Sequence, residues 1–370
     1  MKTRRYNVRF PPPERVPMPV AADAPLQTLF LPFAQGQLRW PQGPVLFLRA
    51  REGWPLREQA QGVQLDCVQS FRPFADALQR AGHSVHAELP ASPPPGGYAL
   101  VLVLPPRQRE EARALLAQAL AQLAPGGVIV ACQSNNEGAR SGEADLKQLA
   151  GLAGNLTKNH CRVYWTAPQA GGHDAALAQR WTRLDEPRRV LGGRFLSRPG
   201  IFAWDRADPA SILLAEQLPP DLSGHGADLG AGFGYLSAEV LARCPQVAAL
   251  DLYEAEARAL DLARRNLPPL AGEVALDYHW HDVTAGLPRQ YDFIVSNPPF
   301  HTPAREDRPD IGQRFIAVAA QALRPGGRLF VVANRHLPYE QILNDSFGEV
   351  QVAAEQGGFK AIVARRGKRG

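Results

Sequence analysis

The stretch 291-YDFIVSNPPFH-301 opens on a tyrosine, runs through apolar strand-like residues and closes on Pro-Pro between an asparagine and an aromatic. A near twin stands far upstream as 98-YALVLVLPPRQ-108. The two align without a gap, yet Leu104 and Arg107 occupy the places of Asn297 and Phe300. Each copy predicts a short buried strand of a parallel sheet followed by a stiffened turn. Repeated this far apart, the pair predicts a duplicated α/β domain and not a solenoid, whose period is much shorter.

Outward from each copy the same order recurs. In the first half, strands are expected over 44–50, 62–68, 84–89, 98–104 and 127–132. The Ala/Leu-rich stretch 107-RQREEARALLAQALAQLAPGG-127 has helical periodicity and is expected to stop at Pro-Gly-Gly. In the second half they fall over 226–230, 247–254, 274–280, 291–296 and 327–333, and the helix 312-GQRFIAVAAQALRPGG-327 leads into the last of them through the same tripeptide. Such alternation predicts two tandem Rossmann-like domains, residues 1–190 and 191–370, each a mostly parallel doubly wound sheet. Around Gly357-Gly358 the second is expected to end in an antiparallel hairpin, 350–355 with 359–366. From Pro-Pro to Pro-Gly-Gly the second half is longer, the extra residues lying around 300-FHTPAREDRPD-310. They follow the carboxyl end of the fourth strand, where open α/β sheets bind ligands, so they read as a substrate loop.

Composition narrows the classes. The chain has 370 residues, 45% hydrophobic and 21% charged, an ordinary globular balance for two domains. Its longest apolar runs are strand-sized, which gives no expectation of a membrane span. The start, 1-MKTRRYNVRFPPPERVPMP-19, lacks the apolar core of a secretory signal and reads as a mobile basic arm. Cys67, Cys132, Cys161 and Cys244 are scattered without metal-ligand spacing, as expected of reduced thiols in a cytoplasmic protein with no metal. Residues 1–190 carry 22 Lys and Arg against 15 Asp and Glu, whereas 191–370 carry 19 against 21. The basic half suggests a polyanionic partner, with a simply Arg-rich composition as the alternative.

The chemistry concentrates in the second half. In 228-DLGAGFG-234, Gly230, Gly232 and Gly234 fall in a strand-to-helix turn, where backbone approaches a ligand closely and helix amides face its polar groups. Tyr235 stands where the dinucleotide fingerprint needs glycine, which disfavours a nicotinamide enzyme. With Asp228 ahead, the spacing resembles the S-adenosylmethionine loop of class I methyltransferases. That resemblance implies an acid on the ribose at the end of the second strand. The pair Ala259-Leu260 and Asn266, matched to the family's spacing, point to Glu254, and Asp251 stays as the alternative. It also implies an adenine-side polar residue after the third strand, where Asp282 stands, a plain exposed loop acid being the other reading.

The segment 297-NPPFH-301 suits methylation of an amine conjugated to an aromatic ring. Such an amine is a poor nucleophile because its lone pair is delocalised. Two fixed oxygens that accept its hydrogens turn the lone pair toward the incoming methyl group. Asn297 offers a side-chain carbonyl and Pro298 a backbone one. Pro298 and Pro299 stiffen the turn, and Phe300 presents a face for a flipped base. His301 either contacts substrate or is an exposed loop histidine.

Together with 200-GIFAWDRADPAS-211 and 331-VVANRHLPY-339, these residues make nearly the whole chain resemble the bacterial ribosomal RNA guanine-N2 methyltransferases, of small- or large-subunit type. The resemblance implies a non-catalytic first domain that aids folding and binds RNA, and a catalytic second domain. It implies S-adenosylmethionine as cofactor, ribosomal RNA or a ribosomal subunit as partner, and action as a monomer away from membranes. It places Phe202 and Asp208 near the cofactor, with Ser211 matching the family and Ala210 replacing its glycine. Asn334 and Arg335 either face substrate or cap a strand. Two rival readings remain: a protein glutamine methyltransferase, whose relatives have tyrosine at Phe300 and a small helical first domain, and an RNA-binding assembly factor with a vestigial site.

Overall fold

The computed structural model describes residues 23–90, 93–171, 173–299, 309–336 and 338–367. The basic arm, Phe300, His301 and most of the expected substrate loop lie outside the described residues.

In chain order the first half forms β1 (Val45–Leu48), β2 (Leu65–Val68), β3 (Ser84–His86), β4 (Tyr98–Val103), β5 (Leu123–Ser134), β6 (Gly154–Lys158) and β7 (Cys161–Trp165). A short ribbon follows, β8 (Arg188–Val190) with β9 (Phe195–Ser197). The second half forms β10 (Ser223–Leu229), β11 (Gln246–Glu254), β12 (Ala275–Trp280), β13 (Tyr291–Ser296), β14 (Leu323–Asn334), β15 (Glu349–Gln356) and β16 (Phe359–Arg365). The strand orders are β3-β2-β1-β4-β5-β7-β6 and β12-β11-β10-β13-β14-β16-β15, one topology used twice. In each sheet one strand runs against the rest: β7 is antiparallel to its neighbours β5 and β6, and β16 to β14 and β15. Central strands such as β1 and β13 are apolar because helices cover both sheet faces, giving each half a hydrophobic cluster on either side.

The structure departs from expectation at two places. The first half has its own closing hairpin, β6–β7, which the sequence reading missed. Its turn residues Asn159 and His160 both take positive φ (52° and 54°) without the glycine that marks such turns. The helices also end earlier than expected, at Ala121 and Ala322. Pro-Gly-Gly belongs to the irregular starts of β5 and β14, where the register shifts.

Strand register makes residues of the two copies correspond. Leu48 pairs with Val68 and Val103 as Leu229 pairs with Tyr253 and Ser296, so Arg49 matches Gly230, Gln69 matches Glu254, and Leu104 matches Asn297. The halves meet through equivalent turns. Arg72 N–H donates to the Ala255 carbonyl (2.8 Å), and Ala257 N–H donates to the Ser70 carbonyl (2.9 Å). Between them Phe71 and Glu256 form an antiparallel bridge. Because Arg72 matches Ala257 and Ser70 matches Ala255, the two bonds exchange under a local twofold, the self-complementary contact of a symmetric dimer within one chain. Trp280 Nε1 reaches the Ser70 and Ala255 carbonyls, with the Arg72 guanidinium 4.8 Å from its ring centre.

Among the described residues no helix is long and apolar enough to cross a membrane.

Candidate active site

Strand β10 lies between β11 and β13, where the chain order of the sheet reverses, and this is where open α/β sheets form a ligand crevice. The glycine turn leaves β10 here. Gly230, Gly232 and Gly234 have φ of 76°, 57° and 95°, a region that costs other residues strain. Gly230 and Ala231 donate to the Tyr253 carbonyl, tying the turn to β11. A Cβ on Gly232 would meet no protein atom within 4 Å, so its conformation and an incoming ligand require glycine there, not a neighbour. Gly234 differs: it starts the helix Tyr235–Arg243 and packs against Leu267.

Glu254 ends β11 with both oxygens engaged. Gly232 N–H donates to one at 2.7 Å and Glu256 N–H to the other at 2.8 Å. Burial pushes its pKa up, and these amides pull it back. Gln69, its match, likewise accepts the amide two residues on, Phe71 N–H. Asp251 is engaged elsewhere. It accepts Tyr291 Oη at 2.8 Å, lies 2.8 Å from His225 Nε2 and pairs with Arg289 at 3.1 Å. The other copy repeats the central bond, with Tyr98 Oη donating to Asp66 at 2.9 Å. A pair kept in both copies belongs to the fold, which leaves Glu254 as the acid beside the glycine turn. Arg289 also pairs with Asp277, which together with Asp251 and His279 brings three potential metal-ligand atoms within 4.8 Å; this grouping is already ion-paired.

Asp228 is fully buried under the turn. Ser237 Oγ donates to its Oδ2 at 2.7 Å, while Oδ1 has no partner among the described residues. Burial lifts its pKa to about 7, with Glu254 adding to the rise and Ser237 opposing it. The folded protein therefore holds this proton where the unfolded chain has lost it, and stability falls as pH rises. Unfolding free energy should drop by about 1.4 kcal/mol from pH 6 to pH 8 through this group. Urea titrations at the two pH values should show the drop in the native protein and not in Asp228→Asn. An equal drop in both assigns it elsewhere.

Asn297 follows β13 directly. Its Nδ2 donates to Asp208 Oδ2 (2.9 Å) and to Ser211 Oγ (2.8 Å). A carboxylate only accepts, so the amide orientation is fixed and its carbonyl oxygen is the end that remains. Pro298 is buried and Pro299 exposed. Asp208 caps the helix Pro209–Ala215 by accepting Ser211 N–H at 2.9 Å, and Ala210, in the place of the expected glycine, is buried in that helix. Asp282 caps a short turn through Thr284.

A concavity open to solvent is walled by Phe202, Asp208, Gly230, Gly232, Phe233 and Asn297 among others. Phe233 is buried and packs on Phe195, ring centres 5.6 Å apart. Gly234, Glu254 and Asp282 stand outside the lining of the concavity. Sequence reasoning had Ser211 near the cofactor but missed its bond to Asn297; a capping Asp three residues before a serine was the available signal. Asn334 accepts the His336 amide at 3.4 Å, which is the strand-capping alternative. The residues present fit S-adenosylmethionine: an open glycine turn, an acid bonded to that turn, and an orphaned buried carboxylate oxygen beneath it.

The first copy has lost this arrangement. Arg49 keeps the left-handed conformation of Gly230 (φ 55°), but its guanidinium sits on Glu111 at 3.3 Å. Leu104 is buried where Asn297 stands.

Comparisons with known proteins agree with this geometry. The family model "Methyltransferase small domain" matches residues 192–363. The ribosomal RNA small subunit methyltransferases C of Salmonella paratyphi A and Salmonella typhi are each 31% identical over 273 residues, which cover 71% of this chain and 75% of theirs. The solved T. thermophilus 16S rRNA N2 G1207 methyltransferase, in complex with AdoMet and guanosine, superposes with a TM-score of 0.74. It is 25% identical and matches over 93% of this chain and 92% of its own. Relatedness along both halves, with the glycine turn and Asn297 on one sheet edge, places the chain in the ribosomal RNA small subunit methyltransferase C family.

Proposed function

We propose that this chain transfers a methyl group from S-adenosylmethionine to the exocyclic N2 of a guanine in 16S ribosomal RNA. The observation that carries the reading is Asn297, its amide held by Asp208 and Ser211 so that a carbonyl acceptor remains beside the glycine turn. Bound S-adenosylmethionine supplies an electrophilic methyl group. Gly230 and Gly232 admit it, Glu254 serves the ribose, and Asp228 and Asp282 support the site. Asn297 Oδ1 and the Pro298 carbonyl accept the two amine hydrogens, which rotates the lone pair out of conjugation. The proton leaves after transfer from a cationic amine, so no strong base is required. Phe300 stacks the flipped guanine.

Residues 191–370 act as the catalytic domain and 1–190 as the non-catalytic, RNA-binding one. The chain works as a monomer in the cytoplasm, where ribosomal subunits are its substrate. The internal twofold dock supports monomeric action, since one chain already supplies both halves of a dimer-like contact.

Labelled methyl transfer to isolated 30S subunits, isolated 50S subunits and naked RNA, with nuclease digestion of the product, tests this. N2-methylguanosine in 16S RNA is expected. Label in a release-factor protein but not in RNA, or no affinity for S-adenosylmethionine, overturns it.

A further inference from the structure

An asparagine side chain is ambivalent, since either end of its amide can face a substrate. A guanine edge offers the N2 amine as donor and the O6 keto oxygen as acceptor, so the orientation of Asn297 decides which group is met. Asp208 Oδ2 receives both the Ser211 amide and Asn297 Nδ2, and Ser211 Oγ receives Nδ2 as well. Ser211 is buried, in a helix whose Ala210, Leu213 and Leu214 are sealed in the core.

The first copy serves as a control. There the helix Ala24–Leu29 packs on β5 and β7 as Pro209–Ala215 packs on β14 and β16. Asp23 caps it by accepting Leu26 N–H at 3.1 Å, as Asp208 accepts Ser211 N–H. The capping acid is thus kept for folding. The residue three further on is Leu26 in place of Ser211, and Leu104 stands in place of Asn297, both buried in one apolar cluster. The serine and the asparagine are missing together.

We propose that Ser211, with the capping oxygen of Asp208, is a positioning residue that commits Asn297 to present its carbonyl oxygen, thereby selecting an amino group over a keto oxygen. The role rests on the methyl-transfer reading above. It assigns Ser211 to the reaction and moves Asp208 from the cofactor to Asn297.

The test is steady-state methyl transfer to 30S subunits together with calorimetric S-adenosylmethionine binding. Ser211→Ala should lower kcat about 10–100-fold, the scale of a misplaced reacting geometry, with the cofactor Kd within about twofold. Asp208→Asn, which keeps an oxygen at the cap, should be slowed less than Asp208→Ala. Adding Ser211→Ala to Asn297→Ala should bring no further loss of rate. Cofactor binding reports folding for every variant. The proposal is overturned if Ser211→Ala keeps the native kcat, or if its cofactor affinity falls by the same factor as kcat. A further loss in the Asn297→Ala background overturns it too. Native protein that methylates no RNA overturns the functional reading itself.

Discussion

Asn297→Ala is expected to cut the rate of methyl transfer about 10²–10³-fold, the range for losing one fixed transition-state hydrogen-bonding group. Cofactor affinity should change by no more than about threefold, because the lost interaction belongs to the transition state and not to ground-state binding. Under the proposed mechanism the N2 amine would lose one of the two acceptors that turn its lone pair toward the methyl group. The fold should survive, since Leu104 occupies the matching position of the first copy at an equivalent strand end and is buried without polar partners. Single-turnover transfer of labelled methyl at saturating cofactor separates chemistry from binding. A rate within threefold of the native protein would mean that the carbonyl acceptor is not what activates the amine.

The two copies explain which parts of the molecule were legible in the sequence. The two mostly parallel sheets, the glycine turn and the position of Asn297 followed from apolar runs and turn residues, because these patterns report burial and backbone conformation directly. The choice between Glu254 and Asp251 did not, since both are acids on one strand. It needed the side-chain partners, and the Tyr98–Asp66 and Tyr291–Asp251 bonds show which acid serves the fold. The β6–β7 hairpin was hidden because its turn uses Asn159 and His160 where glycine is the usual marker. Arg49 was equally opaque: nothing in 45-VLFLRA-50 announces an arginine in a left-handed conformation.

Charge was the least informative signal. Residues 1–22 carry five of the basic residues against one acid, so much of the excess in the first half lies outside the described residues. Of the others, Arg109 and Arg113 share Asp145, Arg162 pairs with Glu143, and Arg188 with Glu110. Net charge counts these arginines as available to a polyanion, whereas the structure spends them on internal pairs. A basic RNA-binding face must therefore be sought among the cations not so engaged.

Arg258→Ala should destabilise the chain by about 3–5 kcal/mol and weaken cofactor binding as well. Arg258 donates to Glu111 of the first half at 2.7 Å and to Glu256 of its own at 2.9 Å, with all three side chains largely buried. Burial alone would lower the pKa of this guanidinium, but Glu256 and Glu111 outweigh it and keep the side chain charged. Burial would likewise raise the Glu256 pKa, and Arg258 reverses that. Removing the arginine leaves two buried carboxylates with Arg49 as the remaining close cation, and breaking such a cluster by one partner costs on this scale. The effect should reach the cofactor because Glu256 forms the bridge to Phe71 and donates its amide to Glu254. The turn that docks the first half is thus the turn whose Glu256 amide holds Glu254. Chemical unfolding followed by tryptophan fluorescence, with calorimetric cofactor binding on the same samples, measures both losses. Since Glu256 is held below its ordinary pKa, its share of stability is present above the usual carboxylate range and fades as pH falls through it. The difference between the native protein and Arg258→Ala should therefore shrink in acid. A variant with native unfolding and native cofactor affinity would show that the two halves fold and bind independently of this cluster.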